Sequence, residues 1–182
     1  ELLRICFPCV DGRQFIDYFH VGVKVNDSNI IYLHEDVNNV YRQRYVDNTN
    51  ILVSEIKNTY FNLKIEQTDC VLIKDNVLVK KYVFLNENSI DLDVRFLANS
   101  KILAGSLENF GSRLIDGGVV QYNHNYSFSI FSDENVFGHK LNDVHSVLQS
   151  AVLNDKDYIG MSNEVAVSYN LGVLHPNEKR EF

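Results

Sequence analysis

Chemistry in this sequence has to come from a few side chains that titrate near neutrality. His20 lies in Tyr18-Phe19-His20-Val21-Gly22-Val23, on the polar side of an alternating run, beside Gly22, where a ligand backbone could approach closely. Lys24 continues that polar side. His139 and Lys140 follow Gly138 at the expected mouth of a helix, and His145 falls in its first turns. An imidazole, with its ordinary pKa of ~6.5, suits general acid–base work at neutral pH. A metal-free phosphodiesterase of the ribonuclease type needs three things: a base for a ribose hydroxyl, an acid for the leaving oxygen and a cation for the charged intermediate. His20, His145 and Lys140 are the candidates for those roles. His139, Gly138 and Lys24 are the candidates for holding a phosphate, helped by the helix start. The plain alternative for each histidine is an ordinary surface or hydrogen-bonded residue.

Other chemistries fit less well. Cys6 and Cys9 form a CxxC around Phe7-Pro8, but there is no second pair to complete a four-ligand zinc site. Pro8-Cys9-Val10-Asp11-Gly12 reads as a turn rather than the helix start a redox motif requires. Cys70 stands alone, so the expectation is three reduced thiols and neither metal nor cofactor. A serine-protease loop needs a second glycine that Ala104-Gly105-Ser106-Leu107 lacks. A papain-like arrangement of His20 and His34 with Cys70 stays a weaker alternative, because Val71-Leu72-Ile73 after Cys70 reads as strand rather than helix.

The elements that must position these residues follow from composition and period. The 182 residues are 45% hydrophobic with a net charge of -7 and a mean hydropathy of -0.17. That supports one domain with a real core, or two small β lobes divided near 86–100. The acidic balance disfavours a nucleic-acid polymer as partner, and no apolar run approaches the ~18 residues of a membrane span. The chain begins at Glu1 with no basic-then-apolar leader before Leu2, so the expected location is cytoplasmic. Phe19, Val21, Val23 and Val25 alternate with polar residues, Asn26-Asp27-Ser28-Asn29 supplies a turn, and Ile30-Ile31-Tyr32-Leu33 resumes. Similar runs follow at Ile51–Lys57, Tyr60–Gln67, Cys70–Lys74, Val77–Leu85, Ile90–Leu97, Lys101–Gly105, Arg113–Tyr122, Tyr126–Phe131 and Val165–Leu171. About a dozen strands at this spacing predict a mostly β protein built as a barrel. Leu141, Val144, Leu148, Ala151 and Val152 fall at helical spacing instead and predict one short helix near 142–153, capped by Asn135 or Asn142. Asn177-Glu178-Lys179-Arg180-Glu181 reads as a solvated tail.

Four strings occur in order along the chain: Tyr18-Phe19-His20-Val21-Gly22-Val23, then Ile56-Lys57-Asn58-Thr59-Tyr60-Phe61-Asn62, then Gly111-Ser112-Arg113-Leu114-Ile115-Asp116-Gly117-Gly118-Val119, then Asn135-Val136-Phe137-Gly138. Together they resemble the poxin family, cGAMP nucleases of poxviruses with relatives in baculoviruses and moths, the baculovirus members most of all. The resemblance implies a chymotrypsin-like fold akin to RNA-virus proteases. It also implies a homodimer, no metal, and cleavage of the cyclic dinucleotide that activates STING, in the host cytosol. His20 matches the family's catalytic histidine. The family's tyrosine and lysine fall on Val144 and Leu148, which carry no titratable proton, so His145 and Lys140 stand as the substitutes. Two alternatives go with this expectation: a catalytically silent β module that binds a partner or nucleotide, and a domain of a viral polyprotein.

Overall fold

β-Branched and aromatic residues alternate with polar ones along most of the chain, and the backbone takes the pleated form that such side chains fit. The computed structural model describes residues 5–6, 12, 14–72, 74–103, 110–123, 126–145 and 152–182. Its strands, in chain order, are β1 (Ile5–Cys6), β2 (Gln14–Val25), β3 (Ile31–Tyr32), β4 (Asn39–Tyr45), β5 (Leu52–Asn58), β6 (Leu63–Leu72), β7 (Val77–Asn86) and β8 (Leu92–Ile102). They continue with β9 (Gly111–Ile115), β10 (Gly118–Asn123), β11 (Tyr126–Phe131), β12 (Val136–Lys140), β13 (Ile159–Gly160), β14 (Glu164–Leu174) and β15 (Lys179–Glu181). The protein is mostly β, and its strands form three open sheets. The expected closed barrel is therefore corrected: each sheet ends in edge strands. Among the described residues no helix is long and apolar enough to cross a membrane.

The chain divides into two compact units, one of Glu1–His34 with Arg95–Asn170 and one of Glu35–Val94 with Leu171–Phe182. In the first unit a sheet of order β1-β2-β8-β14-β12, with β3 on β2, faces a second sheet of order β11-β10-β9-β13. The contacts between the two faces are specific. The Phe15 ring meets Tyr126 edge-on at 5.8 Å, Phe19 meets Phe128 at 6.4 Å, and the Tyr169 hydroxyl donates to the Gly117 carbonyl at 2.8 Å. Gln121 is fully buried between the sheets. It accepts from the Ser100 hydroxyl and donates to the Asn163 carbonyl, so its amide leaves neither end unpaired. On the opposite face of the first sheet, Leu97 and Ala166 pack with Val144 and Leu153, and Ile30 adds to them. The middle stretches of β8 and β14 are consequently buried on both sides. Each such side chain contributes about 1.5–3 kcal/mol for leaving water when it is Val- or Leu-sized.

The second unit is an antiparallel sheet of order β15-β7-β6-β5-β4. Ile65, Phe84 and Tyr82 line its buried face, and near one end the cross-strand partners Asp69 and Lys80 meet at 2.5 Å. Asparagine serves the turns. Among the described residues, five of the six non-glycine residues with positive φ are asparagines: Asn26, Asn48, Asn62, Asn76 and Asn177. Its short amide tolerates the left-handed region better than other side chains do.

Three further expectations change. The C-terminal residues are not a free tail: β15 pairs with β7, and Phe182 and Tyr82 exchange backbone hydrogen bonds of 2.9 and 2.7 Å. Residues 136–140, expected as the approach to a helix, are strand β12 on β14. Most of the expected helix near 142–153 lies outside the described residues. Of the described part, His145 is helical, whereas residues 141–143 and 152–153 are not.

The β9–β10 hairpin turns at Asp116-Gly117, where Gly117 has φ +71° and a Cβ would lie 2.2 Å from the Ser132 carbonyl oxygen. Gly117→Ala is expected to lower stability by about 2 kcal/mol, through backbone strain and that contact. The check is a denaturant midpoint followed by circular dichroism, and an unshifted midpoint would mean that the turn yields.

Candidate functional site

β2 places Tyr18 and His20 on one side of its sheet. The pairing of Gly22 with Tyr32 and Val23 with Ile31, carried on by the Leu33 amide donating to the Val21 carbonyl at 2.9 Å, brings His34 abreast of His20. The result is a stack. The His20 ring lies between Tyr18 at 4.8 Å and His34 at 4.5 Å, with Tyr32 edge-on at 6.0 Å. All four are half-buried. The close approach at Gly22 is made by the protein itself, since a Cβ there would sit 2.6 Å from Ile30 and 3.2 Å from the Ile31 carbonyl.

Tyr18 links this stack to a charged network. Burial, and then the neighbouring Glu164 carboxylate, raise the Tyr18 phenol well above its ordinary pKa. Glu164 is in turn 3.4 Å from the exposed His145 ring and 3.7 Å from Lys101, which also reaches Asp17 at 3.6 Å. His20 stacks on Tyr18, and the Glu164 carboxylate that acts on the Tyr18 phenol is the one that His145 approaches.

The remaining candidates have structural surroundings. Lys140 ends β12 opposite Ala166, outside that network. Lys24 stands half-buried near the end of β2. Gly138 is required by packing, because a Cβ would meet the Leu153 carbonyl at 2.3 Å. His139 is buried, and its Nε2–H donates to the Asp157 carbonyl at 2.8 Å. That bond, with the Asp155 amide donating to the His139 carbonyl (3.1 Å) and the Leu114 amide donating to the Tyr158 carbonyl (2.9 Å), clamps residues 155–158 between β12 and β9.

The clamped segment forms one wall of an open groove of about 570 Å³ in the first unit. Tyr158 lines it together with Arg113, Asp116 and Asn135 and with the apolar Ile115 and Val136. None of these side chains stands out from the sequence as a site: Asn135 reads as a helix cap and, like Arg113 and Asp116, as part of a string resembling another family, although Tyr158 closing the polar run Asn154-Asp155-Lys156-Asp157 is a visible oddity. Among the described residues no group of three or more His, Cys, Asp or Glu is placed to hold a metal.

Two sheets in one unit and a third in the other make a fold shared with a carbohydrate-acting enzyme. A bacterial glucoamylase solved in complex with acarbose superposes with a TM-score of 0.65 at 10% identity, over 96% of this chain and 27% of that one. In sequence, the chain is similar to an uncharacterized glycosyl hydrolase of Methanocaldococcus jannaschii, 25% identical over 174 residues, which is 91% of this chain and 27% of that protein. The chain therefore spans about a quarter of the length of each. No family model matches it.

These likenesses overturn the poxin-like, viral-nuclease expectation and the viral-protease fold attached to it. The physical reason is visible in the strings that carried the resemblance. Tyr18–Val23 lies within β2, the second string begins in β5, the third is the β9–β10 hairpin, and Val136-Phe137-Gly138 opens β12. Aliphatic and aromatic residues alternating around glycine recur in antiparallel sheets of unrelated function. Val144, set against a catalytic tyrosine, is a core residue.

Proposed function

We propose that this chain is a non-catalytic β unit of a glycosyl-hydrolase-like protein and that it recognises oligosaccharide. One observation carries this: a sequence relative and a structural neighbour, both carbohydrate-acting by name, each match nearly all of this chain with 27% of their own length. The local chemistry agrees with a supporting role. His20 is stacked on Tyr18 and His34, His145 pairs with Glu164, His139 donates to the Asp157 carbonyl and Gly138 is set by packing, so these candidates for catalysis or phosphate holding are engaged in structural contacts.

The test is native electrophoresis of the purified chain through gels with and without soluble starch, alongside an assay for new reducing ends. Retarded mobility with no release of reducing sugar is the expected result. Unchanged mobility removes the recognition, and release of reducing sugar removes the non-catalytic assignment.

A further inference from the structure

We propose that the groove beside the β9–β10 turn is a binding site for a neutral oligosaccharide, with the Tyr158 ring as stacking platform and Arg113, Asp116 and Asn135 as partners for sugar hydroxyls. This rests on the oligosaccharide-recognition reading above and assigns it to one place. The argument begins with the cost of what is seen. Tyr158 is 68% exposed, although its ring is large and mostly apolar. An aromatic ring left in water on a surface loop is ordinary if the loop is free to move. Here the backbone beneath it is held by the Asp157, Asp155 and Tyr158 hydrogen bonds to β12 and β9, so the ring is presented rather than merely unburied. A presented platform loses little conformational freedom when a ligand arrives.

The chemistry that shares the groove with the ring selects the ligand. Arg113 offers a planar fork of donors, Asp116 offers acceptors only, and Asn135 offers both. One cation and one anion in the lining leave no net charge to attract a phosphate or a polyanion. They suit a ligand that donates and accepts through adjacent hydroxyls. A pyranose has such hydroxyls at its edge and an apolar C–H face that lies flat on an aromatic ring. The volume of about 570 Å³ falls within the range of small-molecule sites. Asp116 sits in the tight turn that Gly117 makes possible, and Tyr169 ties that turn to β14 through its bond to the Gly117 carbonyl. Arg113 lies on β9, Asn135 immediately precedes β12 and Tyr158 immediately precedes β13, so platform and hydroxyl partners are set on or beside strands rather than on a free loop.

The experiment is calorimetric titration of the chain and its variants with maltoheptaose. The unaltered chain is expected to bind, Tyr158→Ala to weaken binding at least tenfold, and Tyr158→Phe to keep it within about twofold, since the ring is the platform. Asn135→Ala is expected to weaken binding about threefold to tenfold, by the loss of one or two hydrogen bonds. Circular dichroism checks that each variant is folded, which the exposure of Tyr158 favours. Binding by the unaltered chain that Tyr158→Ala leaves intact overturns the groove and leaves the oligosaccharide reading standing. Absence of binding by the unaltered chain overturns both.

Discussion

Lys80→Met is expected to destabilise the second unit by about 3 kcal/mol, because it strands a largely buried carboxylate. Asp69 and Lys80 face each other across β6 and β7 with only 14% and 12% of their side chains exposed, and Gln67 adds an amide hydrogen bond to Asp69 at 2.7 Å. Burial lowers the Lys80 pKa below 10.5 in spite of the opposing pull of Asp69. Desolvation therefore exceeds the attraction, and the pair's main effect is to neutralise two charges that neither the core nor the solvent fully accommodates. Asp69→Asn is expected to cost a similar amount, because it leaves the largely buried ammonium without its counter-ion. The double variant Asp69→Leu, Lys80→Met is expected to recover most of the loss. Urea unfolding followed by circular dichroism reads all three. A double variant as unstable as the sum of the singles would overturn the account. The pH dependence supplies a second check. A folded lysine with a lowered pKa leaves the unfolded state holding more protons in the window just beneath 10.5, so stability from this group rises with pH there. Lys80→Met should abolish that rise.

Above pH 10 the protein is expected to lose stability steeply. Three of its ten tyrosines, Tyr18, Tyr82 and Tyr169, have phenol pKa values raised above 10.0, each chiefly by burial. Tyr82 is also opposed by the Asp69 carboxylate and Tyr18 by Glu164. The sign follows from proton counting. Below pH 10 both states keep these protons and the contribution is complete. Above it the unfolded chain releases them and the folded chain does not, so unfolding is increasingly favoured as pH rises towards the folded values. Each fully shifted group contributes about 1.4 kcal/mol per pH unit. Tyr18 is partly wetted and contributes less, so the three together amount to about 3 kcal/mol between pH 10 and 11. The measurement is phenolate absorbance against pH, paired with circular dichroism. Ionisation of these three rings should coincide with loss of the β signal. Tyr169→Phe should make the alkaline decline shallower, at the cost of the bond to the Gly117 carbonyl. Ionisation of all ten phenols while the β signal stays intact would overturn the assignment.

Most strands were legible because a pleated backbone imposes a period of two. Tyr126–Phe131 is β11 as its alternation implied, and Asp75-Asn76 is the break before β7. The misses have physical causes. The expected strands ending at Leu97 and starting at Lys101 are one strand, β8, because Ala98-Asn99-Ser100 is buried on both faces and shows no alternation. β4 was overlooked because nearly all of it is exposed, so its apolar residues mark no face. Gly138 reads as the mouth of a helix, yet it lies in β12, where the pairing with β14 slips between Val136 and Gly138. The groove was not legible at all, since Arg113, Asp116, Asn135 and Tyr158 belong to no common motif and no single periodic segment.

What the sequence determined by itself was therefore local: the β class, most strand positions and the asparagine turns. Each of these depends on a few consecutive residues, through side-chain period and the allowed backbone angles. The tertiary structure decided which strands are neighbours, that the sheets stay open, that His139 and Gly138 serve packing, and that Tyr158 shares a groove with Arg113 and Asp116. Those outcomes depend on pairings between distant segments, such as β2 beside β8 and β8 beside β14. Their energy lies in contacts that no window of the sequence contains.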